Sequence, residues 1–352
     1  MPWGSYPESM RAAGFDLLFG DHEPDERAAL VEHSLATLTA SLTTDQPHQL
    51  LGLWDSQARA CLLVSQSGPT AFLVGDPALA LQEGPLREEQ AAELLSCLEQ
   101  WVLDRVALAT PDGSQAIEPP RADESAALRP TAGAPKSAGP VMIQLMLSDP
   151  RSEDWEPRLL RAGWEKATRL YYLEARLADL PIDDSPGELS AGWIPANRLS
   201  RDSLEQLVRE THIDSQDCRF LKGRRSVDEM IAGYESSTQS GREWWEVLQV
   251  DSTPAACLLA GLQNEGRQIE WVYLGVAARF RRQGLGRQVV EHGLARARQL
   301  QVESIVLGLD EANLPALRLY AAANFRAWDR RTVFLKWLPG DRTSRTPSDA
   351  IL

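Results

Sequence analysis

The sequence predicts an α/β or α+β protein. Three observations carry this: an element order of ααβββαβαβ after residue 195, a weaker repeat of that order before residue 180, and a length of 352 residues, which suits two domains. The second half is the clearer. Arg201 to Thr211 places Leu204, Leu207 and Val208 at helical spacing, and Ser226 is a fitting N-cap for a short helix ending at Tyr234. Strand-like runs follow at Trp244 to Val250, Ala256 to Leu262 and Ile269 to Val276, broken by Asp251-Ser252-Thr253-Pro254 and Asn264-Glu265-Gly266, a spacing that predicts an antiparallel meander. A loop from Ala277 to Gly286 leads into a helix over Arg287 to Leu300, whose Val289, Val290, Leu294 and Ala297 share a face. A strand at Ser304 to Leu309, a helix at Leu314 to Ala323 and a strand at Thr332 to Trp337 complete the set.

The first half repeats this order with a helix at Glu26 to Ser41, strands at Leu50 to Trp54, Ala60 to Val64 and Ala71 to Val74, and a long helix at Arg87 to Leu103. A strand at Val141 to Leu147, a helix at Trp155 to Ala162 and a strand at Arg169 to Leu177 follow. Gly75 matches Gly275 at an offset of 200, whereas Gly163-Trp164 matches Asn324-Phe325 at an offset of 161. The change of register places an insertion in the first copy, where Pro, Ala, Gly and Ser dominate from about 110 to 140; few of these residues can be buried, so a disordered loop is expected. The turn-rich stretch Leu180 to Pro195 marks the boundary between the copies. The expected domains are therefore 1–180 and 190–340, followed by a flexible tail over 341–352.

No apolar run approaches the ~20 residues of a membrane span, and the N-terminus has no basic segment leading into an apolar stretch, so a cytoplasmic chain is expected. A net charge of −14 argues against nucleic-acid and anionic-membrane partners. The charge is uneven: residues 1–100 carry 4 Lys/Arg against 15 Asp/Glu, and residues 251–352 carry 14 against 10, which leaves room for an anionic ligand in the last hundred residues. Cys61, Cys97, Cys218 and Cys257 lack CxxC spacing and are expected to be reduced and structural. His22, His33, His48 and His212 form no ligand spacing, so no metal is expected.

Arg281-Arg282-Gln283-Gly284-Leu285-Gly286 lies between a strand and a helix. Two glycines let the backbone approach a ligand closely, and the N–H groups and dipole of the helix N-terminus favour a phosphate. Arg279, Arg281, Arg282 and Arg287 add positive charge. Downstream come Asn313, Ala316, Leu319 and Tyr320, then Asn324 and Phe325.

With both segments in view, residues 195–338 resemble the GNAT superfamily of acyl-CoA-dependent N-acyltransferases. The family's phosphate loop, Arg/Gln-x-x-Gly-x-Gly/Ala, matches Arg281 to Gly286 in full, and its Asn-x-x-Ala-x-x-Leu-Tyr motif matches Asn313 to Tyr320. Asn324 stands where glycine is usual; Asn is the next best residue in the left-handed turn that ends a helix. The resemblance implies two tandem GNAT-like domains, each a mixed, mostly antiparallel sheet flanked by helices. It implies that backbone amides from Arg282 to Arg287, including those of Gln283, Gly284, Leu285 and Gly286, hold the pyrophosphate of acetyl-CoA, with Arg281 leading the loop. The edge of the strand ending Leu274-Gly275-Val276 would pair with the pantetheine arm, and Asn313 would cap the next helix beside it.

Tyr320 would protonate the departing thiolate as a primary amine attacks the thioester. For the base that takes the amine's proton, Glu270 is the first candidate and Glu246 the second; His292 is expected to pack within its helix. A non-catalytic acyl-CoA sensor is the competing class, and the presence of Tyr320 beside a complete loop favours the enzyme. The acceptor would meet residues 211–226 and 234–244, where Asp214, Asp217 and Glu235 attract cations or solvate the surface, and at most one of Trp244 and Trp245 lines a pocket.

In the first copy, Leu81-Gln82-Glu83-Gly84-Pro85-Leu86 stands in place of the loop and Leu159 in place of Tyr320. Neither anion site nor acid remains, so the first copy is expected to be degenerate, as in tandem GNAT proteins.

Overall fold

The computed structural model of the chain describes residues 3–5, 11–18, 23–25, 28, 31, 49–54, 57–67, 70–73, 77–80, 84–109, 141–180, 192–237 and 240–338. The expected helix at Glu26 to Ser41, the insertion at 110–140, the segment 81–83 and the tail at 341–352 lie wholly or largely outside these residues. The described residues form two compact units, one comprising residues up to 144 with 336–338 and the other residues 145–335.

In the first unit, β1 (Trp3–Ser5), α1 (Arg11–Leu18), β2 (Gln49–Trp54), β3 (Ala58–Ser67), β4 (Thr70–Leu73) and β5 (Ala78–Leu79) precede the long helix α2 (Pro85–Ala109) and β6 (Val141–Ser148). β1 to β4 form an antiparallel meander, and β5 pairs with β3. β4 runs parallel to β6 through Thr70↔Met142, Ala71↔Ile143 and Phe72↔Gln144. α2 buries Ala91, Leu94, Leu95, Leu98, Trp101 and Val102, the three- and four-residue spacing of one helix face, while Leu86 in its first turn is exposed.

The second unit begins with α3 (Asp149–Arg161) and β7 (Glu165–Arg176), then β8 (Trp193–Pro195), α4 (Arg201–His212) and α5 (Val227–Ser236). The meander β9 (Trp244–Val250), β10 (Thr253–Gln263) and β11 (Gln268–Val276) follows, then α6 (Leu285–Leu300), β12 (Ser304–Asp310), α7 (Leu314–Ala322) and β13 (Arg326–Leu338). Its strand order is β8-β9-β10-β11-β12-β7-β13. Every pairing is antiparallel except β11 with β12. α4 opens on a Ser200 cap, and Ser226 with Glu229 makes a capping box for α5.

β7 departs from the expected boundary. It belongs to the stretch read as the first copy, yet it lies along β12 from Leu170 to Arg176 and along β13 from Glu165 to Glu174. A strand's own sequence sets which face is apolar but not which distant edge it joins, and Leu173 and Ala175 fit the core of this unit.

The sheet of the second unit has a core on each face. Under α6 and α7 lie Leu258, Trp271, Val289, Val290, Ile305, Leu307, Tyr320 and Phe325. Under α4 and α5 lie Leu204, Leu207, Val208, Ile231, Trp245, Val247, Leu259 and Tyr273. Leu258 and Leu259 alternate between the faces, as a strand requires. No helix among the described residues is long and apolar enough to cross a membrane.

Candidate active site

β11 and β12 join only at Gln268↔Ser304, Ile269↔Ile305 and Glu270↔Val306. Beyond Glu270 the strands part, so the edge of β11 facing β12 has no strand partner among the described residues. Trp271 to Val276 on this strand instead line a cleft of about 390 Å3. A bulge shapes this edge: opposite β10, Tyr273 pairs with Leu259 and Trp271 with Ala260, leaving Val272 as the extra residue. Trp271 therefore enters the core under α6 and α7, Tyr273 enters the one under α4 and α5, and Leu274 and Val276 return to the first. Gly275 permits the close approach of α4, since a Cβ there would stand 2.8 Å from Thr211 and from the Tyr273 ring.

The Arg281 to Gly286 loop closes the same cleft. Arg282 and Gly284 have left-handed φ values of 65° and 83°, a local reversal of the backbone just ahead of the next helix. Gly284 caps α6, whose first N–H groups have no intrahelical acceptor. The side chain of Arg281 is used elsewhere. It donates through Nε to the Val276 carbonyl at 3.0 Å, through Nη1 to Ile213 at 2.7 Å and through Nη2 to Thr211 at 2.7 Å. It thereby ties the end of α4 to the end of β11, and what it offers an anion is position. Arg279 pairs with Glu210 at 3.3 Å and Arg287 with Glu291 at 2.7 Å, while Gln283 donates to the Arg279 carbonyl at 3.3 Å and Leu285 is buried. Arg282 and Gly286 line the cleft beside Arg281.

Asn313 caps α7 as expected, its Oδ1 accepting from the Ala316 N–H at 3.3 Å, and it lines the cleft with Ala316, Leu319 and Tyr320. Asn324 takes the expected left-handed turn, φ 64°. The Tyr320 ring packs against Trp271 and Phe325 at centroid distances of 6.4 and 5.3 Å. Burial, and then the charge of Asp217, raise its phenol well above the ordinary value, so it is protonated at neutral pH.

The acidic candidates separate. Glu270 precedes the bulge and is not among the cleft-lining residues; Gln263 donates to it at 2.9 Å, and burial raises its carboxyl against that hydrogen bond. Glu246 is 3.1 Å from Nε2 of the buried His292, which stacks on Trp193 at 3.7 Å, and neither Glu246 nor His292 lines the cleft. Trp245 is buried under α4 and α5, Arg296 lies over Trp244, and neither tryptophan is a lining residue. Glu235 pairs with Arg242 at 2.9 Å.

Asp214 and Asp217 do line the cleft. Burial, reinforced by Asp310, raises the Asp217 carboxyl to about 6, against hydrogen bonds from the Asp310 backbone and the Cys218 thiol. Asp214 and Cys218, at φ 52° and 45°, hold the turn. Nothing local in the sequence separates Asp217 from solvated acids; its setting comes from burial and from Asp310, far along the chain on β12. Asp310 accepts from the Cys218 N–H at 3.1 Å and from the Thr168 hydroxyl at 2.8 Å.

Residues 207–325 match the acetyltransferase (GNAT) family. Among curated proteins, the chain is similar to the mycothiol acetyltransferase of Acidothermus cellulolyticus, 28% identical over 155 residues, 42% of this chain and 45% of that one. It is also similar to the mycothiol acetyltransferase of Propionibacterium freudenreichii subsp. shermanii, 24% identical over 220 residues, 52% and 66% of the two chains. The chain thus spans from under half to about two thirds of these relatives. Among solved structures, a GCN5-related N-acetyltransferase from Sphaerobacter thermophilus has a TM-score of 0.58 at 17% identity, covering 98% of each chain, a likeness of fold.

Proposed function

Since residues 207–325 of this chain match the acetyltransferase (GNAT) family, we propose that the protein transfers an acetyl group from acetyl-CoA to a primary amine by direct attack. The observation that carries this reading is that the Arg281 to Gly286 loop, the unpaired edge of β11 and the Tyr320 phenol share one cleft. The loop amides, with Arg282, neutralise the pyrophosphate. The Leu274 to Val276 edge accepts the pantetheine amides as an added strand would, and Asn313 stands beside that arm. Trp271 and Phe325 fix the Tyr320 ring, and its raised phenol keeps a proton for the sulfur as the C–S bond breaks. The first sequence copy has Leu81 and Leu86 where the loop has Arg281 and Gly286, and Leu159 in the place of the acid, so the reading gives one acetyl-CoA site per chain.

The test is release of free CoA from acetyl-CoA with a panel of amines: a lysine peptide, spermidine, an aminoglycoside and a cysteinyl sugar conjugate. Turnover of one of these, with a single calorimetric acetyl-CoA site, is the expected result. Tight acetyl-CoA binding without turnover of any amine would make the protein a CoA-binding sensor instead.

A further inference from the structure

We infer that Asp217 is the carboxylate that receives the acceptor's ammonium and takes its proton, which makes the acceptor an amine that is cationic at neutral pH. The inference rests on the transferase reading and assigns the base that this reading leaves open. Among the acids considered for that role, Glu270 and Glu246 are held by Gln263 and His292 and stand outside the cleft lining, whereas Asp217 lines the cleft with Tyr320. The two are close enough for the charge of Asp217 to bear on the phenol. The turn that presents Asp217 is built rather than loose. Its backbone N–H donates to the Ser215 hydroxyl at 3.1 Å, the next N–H donates to Asp310 at 3.1 Å, and left-handed residues stand on either side.

The charged and titratable groups around Asp217 come from several elements. Asp310 on β12 and the Cys218 thiol beside it affect it directly. Tyr273 on β11, Tyr234 on α5 and Tyr320 on α7 respond to its charge, and Arg225 acts on Cys218 and Tyr234. Burial and Asp310 bring Asp217 to about 6, which leaves it ionised but more basic than a surface aspartate.

The ammonium gives one proton to Asp217, and the nitrogen lone pair forms the C–N bond at the thioester carbonyl. The C–S bond then breaks and the sulfur takes the Tyr320 proton. The second nitrogen proton restores the phenol, and Asp217 releases its proton to water. The products are the amide, free CoA and one proton.

The experiment uses the full chain, acetyl-CoA and whichever panel amine is turned over, comparing wild type with Asp217→Asn, Asp217→Glu and Glu270→Gln. We expect Asp217→Asn to lower kcat by about 100-fold with acetyl-CoA affinity unchanged, and to remove the inflection near pH 6 from the kcat/KM profile. Asp217→Glu should restore part of the rate, and Glu270→Gln should cost at least tenfold less than Asp217→Asn. Near-normal turnover by Asp217→Asn, or a larger loss with Glu270→Gln, would overturn the assignment and leave the transferase reading intact. Acetyl-CoA binding with no turnover of any amine would overturn both.

Discussion

The parallel strand pairs β4·β6 and β11·β12 each join over three residues, and the helices that follow β6 and β12 end in matching ways. At the end of α3, Gly163 has φ 80° and the Trp164 N–H donates to the Leu159 carbonyl at 2.9 Å. At the end of α7, Asn324 has φ 64° and the Phe325 N–H donates to the Tyr320 carbonyl at 3.0 Å. Leu159 and Tyr320 therefore occupy the same place in the same backbone frame, one fully buried and the other lining a cleft. Apolar periodicity and a left-handed turn are enough to keep such a frame. The proposed chemistry would depend on far fewer atoms, one phenol and the amides of one loop, and could be lost without loss of the fold.

The largest expected effect comes from removing the atom that distinguishes these helix ends. Tyr320→Phe keeps the ring against Trp271 and Phe325 and removes the proton donor, so kcat should fall by about 100- to 1000-fold, with acetyl-CoA affinity and thermal stability little changed. Steady-state kinetics beside calorimetry checks this. A fall of less than threefold would mean that Tyr320, like Leu159, is a packing residue.

Gly286→Leu makes the second loop resemble the first. Leu86 stands at the place of Gly286, where a Cβ would already lie 3.4 Å from Leu319. Gly286→Leu fills the cradle under the helix N-terminus. Acetyl-CoA should bind about 30-fold more weakly, near 2 kcal/mol, while CoA release at saturation falls less than in Tyr320→Phe. Unchanged affinity would remove the loop from the binding site.

The cleft gives up stability by burying a carboxylate. The folded Asp217 carboxyl titrates near 6 against an ordinary 3.8, so the folded state binds this proton more tightly than the unfolded chain. The resulting stability is full below about pH 4 and is lost as pH rises through about 6. At about 1.4 kcal/mol per unit the limit is about 3 kcal/mol, and solvent reaching this half-buried group reduces it to about 1–2. Asp217→Asn should therefore be more stable than wild type by that amount near pH 7.5, with the gain shrinking toward pH 4.5 in urea titrations. Equal stability across that range would mean the carboxylate is well solvated.

Much of the fold was legible because its signals are local. Leu204, Leu207 and Val208 on α4, the meander of β9 to β11, and the Asn313 cap of α7 each announce themselves within a few residues. The same holds for the Arg281 to Gly286 loop and for the left-handed Asn324. What was hidden depends on distant partners. β7 has an ordinary strand pattern, and only its pairing with β12 and β13 places it in the second unit. The Arg281 guanidinium is taken up by three carbonyls, two of them at the end of α4. The Val272 bulge, which puts Trp271 and Tyr273 on opposite faces, leaves no mark on the alternation of buried and half-buried residues. Asp217 is made unusual by burial and then by Asp310, neither of which the sequence around 217 encodes.

The smallest expected effect tests the helix ends directly. Asn324 holds φ 64° with a Cβ, a conformation that costs an ordinary residue about 1–2 kcal/mol and asparagine less, while Gly163 reaches φ 80° freely. Asn324→Gly removes that strain but adds freedom to the unfolded chain, which opposes part of the gain. The net stabilisation should be about 0.3–0.8 kcal/mol, read as a higher denaturation midpoint at constant slope, and Gly163→Asn should lose a similar amount. The two changes should leave acetyl-CoA affinity unaltered, because the turn sets the Phe325 N–H against the Tyr320 carbonyl and touches neither the phenol nor the loop. Opposite and nearly equal shifts would show that the two ends are energetically interchangeable. If Asn324→Gly instead destabilised the protein, the asparagine side chain would be making a contact that Gly163 never needed, and the equivalence of the two frames would stop at the backbone.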